Sequence, residues 1–330
     1  MALKEKILEA LRVASDFVSG QKLSEQLGVS RMAISKAVAA LREEGYEIES
    51  VPHRGYRLLK APDAMNQAEV LAALGAHPWR EQVIVLPEVD STNTYAKLLA
   101  QQGALSGTVV IADCQTGGRG RLGRSFASPA GCGVYLTVLL RPALTAAGLE
   151  TLTVRSAVAM CDAVEAATGT RPGIKWTNDL VLGGKKLSGI LTELSVEAES
   201  GMAEYVVIGI GVNVSQKPED FPPEVRPMAT SLTEALGQPV SRAVLAAEMI
   251  RALAGMAREL ARGDAAWLTR YRSDCVTLHK QVRVLRGGEE RFAYADDVDE
   301  SGALLVTWDD GTTGRVFSGE VSVRGMYGYL

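Results

Sequence analysis

The chain has 330 residues, with 35 lysines and arginines against 39 aspartates and glutamates for a net charge of -4, and it is 47% apolar but only 5% aromatic. At ~100–200 residues per domain this length gives two or three domains, and the composition is that of a globular protein with ample core. No run reaches the ~18 apolar residues of a membrane span, and the charged start (Lys4, Glu5, Lys6, Glu9, Arg12) argues against a signal peptide, so a cytoplasmic protein with no membrane partner is expected.

Cys114, Cys132, Cys161 and Cys275 form no Cys-x-x-Cys pair, and His53, His77 and His279 are the only imidazoles. Zinc needs clustered ligands, so reduced, mostly buried thiols are expected. The acidic balance argues against a protein whose main task is coating nucleic acid, but it leaves room for a small basic module on an acidic body.

Residues 1–60 read as such a module. Leu3, Ile7, Leu8 and Leu11 recur at helical spacing, as do Leu23 and Leu27, then Ile34, Val38 and Leu41. Gly28 can end one helix in the left-handed conformation and Ser30 can cap the next, a helix-turn-helix signature. The helix opened by Ser30 leaves Arg31, Met32, Ser35 and Lys36 near its N-terminus and off the apolar stripe, where a recognition helix contacts base edges. After Gly45, residues 46–49 and 51–58 read as a two-stranded wing with Arg54 and Gly55 at its tip. The segment carries ten basic against eight acidic side chains, a surplus of +2 that leaves -6 on the rest. So small a surplus gives modest DNA affinity and favours a dimer on two half-sites. A winged helix used for protein contacts or dimerisation is the alternative.

Ala61-Pro62-Asp63 marks a linker. Between 65 and 275, β-rich runs (Val83–Leu86, Thr108–Ala112, Val134–Leu140, Tyr205–Val214) alternate with helical patterns at about 92–102, 149–168 and 241–263, and Ser231-Leu232-Thr233-Glu234 is a capping box. After 276, short strands at Val282–Leu285, Arg291–Ala295, Ala303–Trp308 and Thr313–Phe317 are broken by Gly287-Gly288, Ser301-Gly302 and Asp310-Gly311, which reads as a small antiparallel barrel.

The most unusual stretch is Gln115-Thr116-Gly117-Gly118-Arg119-Gly120-Arg121-Leu122-Gly123-Arg124. Gly118-x-Gly120-x-x-Gly123 follows a strand, but Ser125–Gly133 opens no helix and no acidic residue stands near 20 positions on, so a Rossmann turn is rejected. Glycines alternating with arginines suit a mobile loop whose backbone approaches a ligand while guanidinium groups fork onto phosphates or a carboxylate; a solvated surface loop is the alternative. Next, Gly183-Gly184 predicts a tight hairpin pairing Lys175–Leu182 with Lys186–Glu193. Asn178 and Asp179 in such a strand could ligate Mg²⁺ or bind a nucleotide, or mark a bulge. Gly209 and Gly211 in the strand Ile208–Val214 suggest that another chain or a ligand lies against it. The Pro-rich connection at about 215–229 has the character of a lid. Capping explains Ser91 or Thr92 in Asp90-Ser91-Thr92-Asn93-Thr94-Tyr95, but not the whole polar cluster.

These motifs, in this order, resemble those of bacterial biotin-protein ligases of the bifunctional kind, the biotin operon repressor family: Asp90-Ser91-Thr92-Asn93; Gly118-Arg119-Gly120-Arg121-x-Gly123-Arg124; Lys175-Trp176-x-Asn178-Asp179-Leu180 with Lys186-Leu187-x-Gly189-Ile190-Leu191; and Gly209-x-Gly211-x-Asn213. Resemblance covers essentially the whole chain. Thr177, where the family usually has proline, is a departure expected to change a backbone preference rather than a ligand.

The resemblance implies an α+β chain of three domains: a winged helix-turn-helix at 1–62, a mixed α/β ligase domain with an antiparallel-rich sheet at 65–275, and an SH3-like small β-barrel at 276–330. It implies that biotin and Mg-ATP give biotinyl-5′-adenylate and pyrophosphate, and that the acyl group then passes to a lysine of biotin carboxyl carrier protein. Ser91, Thr92, Asn93, Gln115, Arg119, Gly120, Arg121 and Lys186 match biotin-binding positions. Arg121, Lys175, Trp176, Asn178, Asp179 and Asn213 match ATP or adenylate positions, with Asp179 the expected Mg²⁺ ligand and Arg121, Lys186 and Asp179 the expected catalytic groups. Arg31, Met32, Ser35, Lys36 and Arg54 are expected on operator DNA, with a homodimer forming when adenylate is bound.

The physics agrees with this assignment. Two anions, a carboxylate and a triphosphate, must meet, and Arg119, Arg121 and Lys186 with Mg²⁺ offset their repulsion; no protein nucleophile is needed. Two rivals are a lipoate-protein ligase, disfavoured by the arginine loop and Lys-Trp-x-Asn-Asp, and a pure transcription factor that senses a ligand without ATP chemistry.

Overall fold

The computed structural model describes residues 3–14, 16–145, 147–286, 288–317, 321–325 and 329. Helices α1 (Leu3–Val13), α2 (Gly20–Leu27) and α3 (Arg31–Glu43) turn Ile7, Leu8, Leu11, Leu23, Ile34, Val38 and Leu41 onto one small core. Gly28 closes α2 at φ 66°, and Ser30 accepts a hydrogen bond from Ala33 N at 3.2 Å to open α3, as the sequence predicts. The wing is β1 (Glu47–Val51) paired antiparallel with β2 (Gly55–Lys60). Val51 therefore ends the first strand rather than starting the second, because it pairs with Gly55 across the tip.

A seven-stranded sheet follows, in the order β3-β4-β5-β9-β8-β7-β6. Its strands are β3 (Val83–Val89), β4 (Thr108–Gln115), β5 (Gly133–Leu140), β6 (Gly173–Lys175), β7 (Asp179–Leu182), β8 (Lys185–Val196) and β9 (Ala203–Asn213). Only β3 and β4 run parallel; the other neighbours are antiparallel, so the antiparallel-rich expectation holds. Every residue of β5 is buried. By the period of two along a strand, Val134, Leu136, Val138 and Leu140 join the core under α6 (Leu152–Thr168) and α8 (Arg242–Ala261), while Leu139 packs with Ala96 and Ala100 of α5 (Thr92–Gln101) on the other face. Helices α4 (Gln67–Leu74), α7 (Leu232–Leu236) and α9 (Ala266–Asp274) complete the unit, with Ser231 capping α7 through Glu234 N at 3.3 Å.

One expected strand is two. Residues 175–182 do not form a single strand: the chain reverses through Trp176-Thr177-Asn178, and the Trp176–Thr177 peptide bond is cis. Asn178 is drawn out of the ladder because its carbonyl accepts from Ile190 N and its side-chain Nδ2 donates to Ile190 O, each at 2.9 Å. The Gly183-Gly184 hairpin joins β7 to β8 as predicted.

The C-terminal unit is a five-stranded antiparallel sheet in the order β13-β12-β11-β10-β14. Its strands are β10 (Gln281–Arg286), β11 (Glu289–Val298), β12 (Leu304–Trp308), β13 (Thr313–Val316) and β14 (Val321–Gly325). Among the described residues no pairing closes β13 onto β14, so what is seen of the expected barrel is a sheet. Gly287 of the expected break at 287–288 lies outside the described residues. No described helix is long and apolar enough to cross a membrane.

Polar contacts tie the units together. Glu69 of α4 is buried and accepts from Arg12 of α1 and from the Tyr46 hydroxyl at 2.8 Å. Arg242, at the start of α8, grips the linker through Asp63.

Candidate functional site

A cleft of about 640 Å³ opens where the start of α5, the loop after β4, the 176–178 turn and the glycines of β8 and β9 meet. All the residues assigned above to biotin, ATP or catalysis line it.

The start of α5 forms one wall. Ser91 caps the helix through Thr94 N at 3.5 Å, which accounts for Ser91 alone. Thr92 donates from its backbone N–H and its hydroxyl to Gln115 Oε1 at 2.9 and 3.0 Å, and Gln115 Nε2 donates to Ser128 Oγ at 2.9 Å. Asn93 Oδ1 accepts from the buried Thr137 hydroxyl at 2.7 Å, while its Nδ2 donates to Glu193 Oε2 at 2.7 Å. Lys97 donates to the other Glu193 oxygen at 2.7 Å. Burial would raise the Glu193 carboxyl, but the bonds from Lys97 and Asn93 outweigh it and hold it below its ordinary value.

Glycines of β9 leave room for this network. A Cβ on Gly209 would lie 2.0 Å from Asn93 Oδ1, and one on Gly211 would lie 2.4 Å from the Phe126 ring. The chain's own Asn93 and Phe126 lie against these glycines, which also border the cleft where a ligand would sit. Their place follows from close approach of side chains to backbone.

The arginine loop is a closed turn rather than a free tether. Gly120 N donates to Arg124 O at 2.7 Å and Phe126 N to Gly118 O at 2.9 Å. Arg119 is exposed at the cleft rim, and Arg121 reaches inward, donating to Asn178 Oδ1 at 2.8 Å. Burial draws the Arg121 guanidinium below its ordinary value while the Asp179 charge opposes the shift, which marks a cation kept partly dry beside a carboxylate.

Asp179 is the centre of the opposite wall. Its Oδ1 accepts from Lys186 Nζ at 2.6 Å, and its Oδ2 from the Tyr329 hydroxyl at 2.5 Å. Burial alone would raise this carboxyl, but Lys186, Tyr329 and Lys175 together hold it lowered. The 176–178 turn is braced from behind: Trp176 N donates to Thr277 Oγ1 at 2.9 Å and its indole Nε1 to Gly302 O at 3.1 Å. Trp176 thus anchors the turn to the C-terminal unit. Asn213 also lines the cleft, but its Nδ2 donates to Thr230 O at 3.0 Å and its Oδ1 accepts from Gln216 Nε2 at 3.4 Å. It holds the Pro-rich connection, whose residues Phe221, Pro222, Val225 and Pro227 border the cleft, as a lid would. Among the described residues no group of three or more His, Cys, Asp or Glu side chains could hold a metal ion.

Elsewhere, Arg31, Met32, Ser35 and Lys36 all stand exposed on α3, Met32 at 81%. Arg54 is held at the wing tip by Asp16 at 3.0 Å and lies 4.3 Å from the Phe17 ring centroid. These residues share one small unit remote in sequence from the cleft. Sequence reading missed Thr137, Glu193, Phe126 and Tyr329: the first two look like ordinary strand positions, and the last two become site residues only through tertiary placement.

Comparison with known proteins agrees with this division. Residues 85–213 match the biotin/lipoate A/B protein ligase family, residues 4–57 an HTH domain, and residues 277–324 the biotin protein ligase C-terminal domain. The chain is 35% identical over 323 residues to the bifunctional ligase/repressor BirA of Bacillus subtilis, covering 97% of this chain and 98% of that one. It is 35% identical to the Escherichia coli protein of the same description, covering 96% of each. Among solved structures it is similar to the biotin protein ligase of Aquifex aeolicus in complex with biotin and ATP, with a TM-score of 0.63 and 29% identity over 74% of this chain and 98% of that one.

Proposed function

The chain belongs to the family of bifunctional biotin-protein ligases and repressors, and from that premise we propose how its residues divide the work. It is a biotin-protein ligase with a DNA-binding repressor domain. A biotin carboxylate oxygen attacks the α-phosphorus of ATP, a new P–O bond forms, and pyrophosphate leaves with the broken one. The amine of an acceptor lysine on biotin carboxyl carrier protein then displaces AMP from the acyl carbon.

The observation that carries this reading is the convergence of Arg121 from the arginine loop with Asp179 and Lys186 from the β7–β8 hairpin within one cleft. Ser91, Thr92, Asn93, Gln115, Arg119 and Gly120 serve biotin, with Lys186 and Arg121 at its carboxylate. Lys175, Asn178 and Asp179 serve the phosphates, while Trp176 and Asn213 act by bracing the turn and the lid. Mg²⁺ takes few protein ligands and keeps water and phosphate oxygens, so a single carboxylate such as Asp179 suits a metal that arrives with ATP and neutralises its phosphates. The Lys186 and Tyr329 contacts on that carboxylate must then be shared with the metal.

Arg31, Met32, Ser35, Lys36 and Arg54 serve operator DNA, and adenylate binding favours a homodimer that presents two recognition helices; operator DNA in turn favours that dimer. Domain limits of 1–62, 65–275 and 276–330 and an SH3-like barrel at the C-terminus complete the reading. A cytoplasmic location follows from it, since ATP and operator DNA are found there.

Incubation of the full chain with labelled biotin, ATP and a carrier domain tests the ligase. Label on the carrier lysine is expected; transfer of lipoate instead, or of nothing, would favour the rivals. Sedimentation with and without biotin and ATP tests the dimer, and an unchanged mass would count against it.

A further inference from the structure

A residue outside every motif closes the cleft from the C-terminal side. Tyr329 lies just past β14; its hydroxyl donates to Asp179 Oδ2 at 2.5 Å, and the Lys175 ammonium stands 3.4 Å from its ring centroid. Lys175 and Asp179 face each other in the β6–β7 register, so one aromatic side chain spans both members of a cross-strand pair. The other oxygen of Asp179 is taken by Lys186 at 2.6 Å. Held from β8 on one oxygen and from the C-terminal segment on the other, the carboxylate cannot rotate without losing a charge-assisted hydrogen bond, the stronger kind. An ammonium over a ring face is attracted by the ring quadrupole, which fixes the second member of the pair.

We propose that Tyr329 is a positioning residue for the ATP half-reaction: it orients the Asp179 carboxylate and the Lys175 ammonium to receive the triphosphate, which makes Tyr329 itself part of the active site. This rests on the reading of the cleft as the place of biotin adenylation. The second half-reaction needs no triphosphate, so the two halves separate a positioning role from a merely structural one.

The full-length chain carrying Tyr329→Phe keeps the ring under Lys175 and loses only the bond to Asp179. Its KM for ATP in biotin-dependent pyrophosphate release rises roughly 10-fold, the scale of one hydrogen bond to a charged group. Transfer from pre-formed biotinyl-5′-adenylate to the carrier stays at the wild-type rate. Tyr329→Leu loses the ring as well and raises KM a further ~3-fold. An unchanged ATP KM in Tyr329→Phe, or an equal fall in both half-reactions, would overturn the proposal while leaving the ligase reading intact. Absence of biotin-dependent pyrophosphate release from the wild-type chain would overturn both.

Discussion

Lys186 Nζ lies 2.6 Å from Asp179 Oδ1, so the cation assigned to the biotin carboxylate and the carboxylate assigned to the metal-bound phosphates form one ion pair. Burial would raise the Asp179 carboxyl, but Lys186, with Tyr329 and Lys175, holds it in its charged form. When two anionic substrates enter, Lys186 exchanges one carboxylate partner for another without first having to be gathered from solvent, which is the sense in which such a site is preorganised.

Lys186→Ala removes an aimed donor from this partly dry site. Adenylate formation is expected to fall about 10²–10³-fold, with biotin affinity reduced in calorimetry. The affinity of the unliganded chain for promoter DNA should not change, because the recognition residues of α3 stand in a separate unit. Unchanged biotin affinity would remove Lys186 from the site.

Gly209→Ala would bring a Cβ to 2.0 Å from Asn93 Oδ1. Asn93 cannot yield easily, since Thr137 and Glu193 hold its two polar atoms at 2.7 Å each. The start of α5 must therefore shift, and weaker biotin binding at nearly unchanged ATP affinity is expected in titrations of each ligand. Wild-type biotin affinity would show that this wall does not touch biotin.

These two sites show what the sequence makes legible. The motif residues are legible because polar side chains stand where a β-rich core would want apolar ones, and each one assigned above to biotin, ATP or catalysis borders the cleft. The glycines of β9 announce a close approach but not its partner, since Asn93 of α5 and Phe126 of the loop after β4 reach them only through tertiary placement. The reversal at Trp176-Thr177-Asn178 carries no glycine or proline, the usual turn signals, so residues 175–182 read as one strand. Tyr329 has no local signal at all. Its role exists only because the C-terminal sheet packs against the 176–178 turn through Trp176 and Gly302.

Glu193 offers a test by pH. Its carboxyl is lowered in the folded chain, so its contribution is fully present above the ordinary glutamate value of about 4.3 and is lost as the pH falls through the lower folded value. Glu193→Gln presents an amide N–H₂ to either Asn93 Nδ2 or Lys97 Nζ, leaving one donor unpaired at a cost of about 1–2 kcal/mol. Urea midpoints of the two proteins should differ at pH 7 and converge toward pH 3. A difference that grows on acidification would contradict the assigned sign.

Arg242 tests how the N-terminal unit is joined to the site. It is 4% exposed, and its backbone N–H and Nε donate to the two Asp63 oxygens at 2.9 and 3.0 Å. Its Nη2 donates to Asp63 O at 2.7 Å and its Nη1 to Asp113 Oδ1 at 2.5 Å. Asp113 in turn accepts from Gly131 N at 3.2 Å, in the segment that follows the arginine loop. One guanidinium therefore fastens the linker behind the winged helix to the strand that carries the loop. Arg242→Met fills nearly the same volume but strips both carboxylates of their cationic partner, leaving them only backbone N–H donors. Breaking a buried pair costs roughly 3–5 kcal/mol, and the lower end, about 3 kcal/mol, is expected because both carboxylates keep some water. Limited proteolysis should then cut near Asp63 far faster than in the wild type, while biotin and ATP still protect the arginine loop. Equal cutting rates at the linker would mean that Arg242 does not hold it, and that other contacts, such as those of Glu69 with Arg12 and Tyr46, suffice.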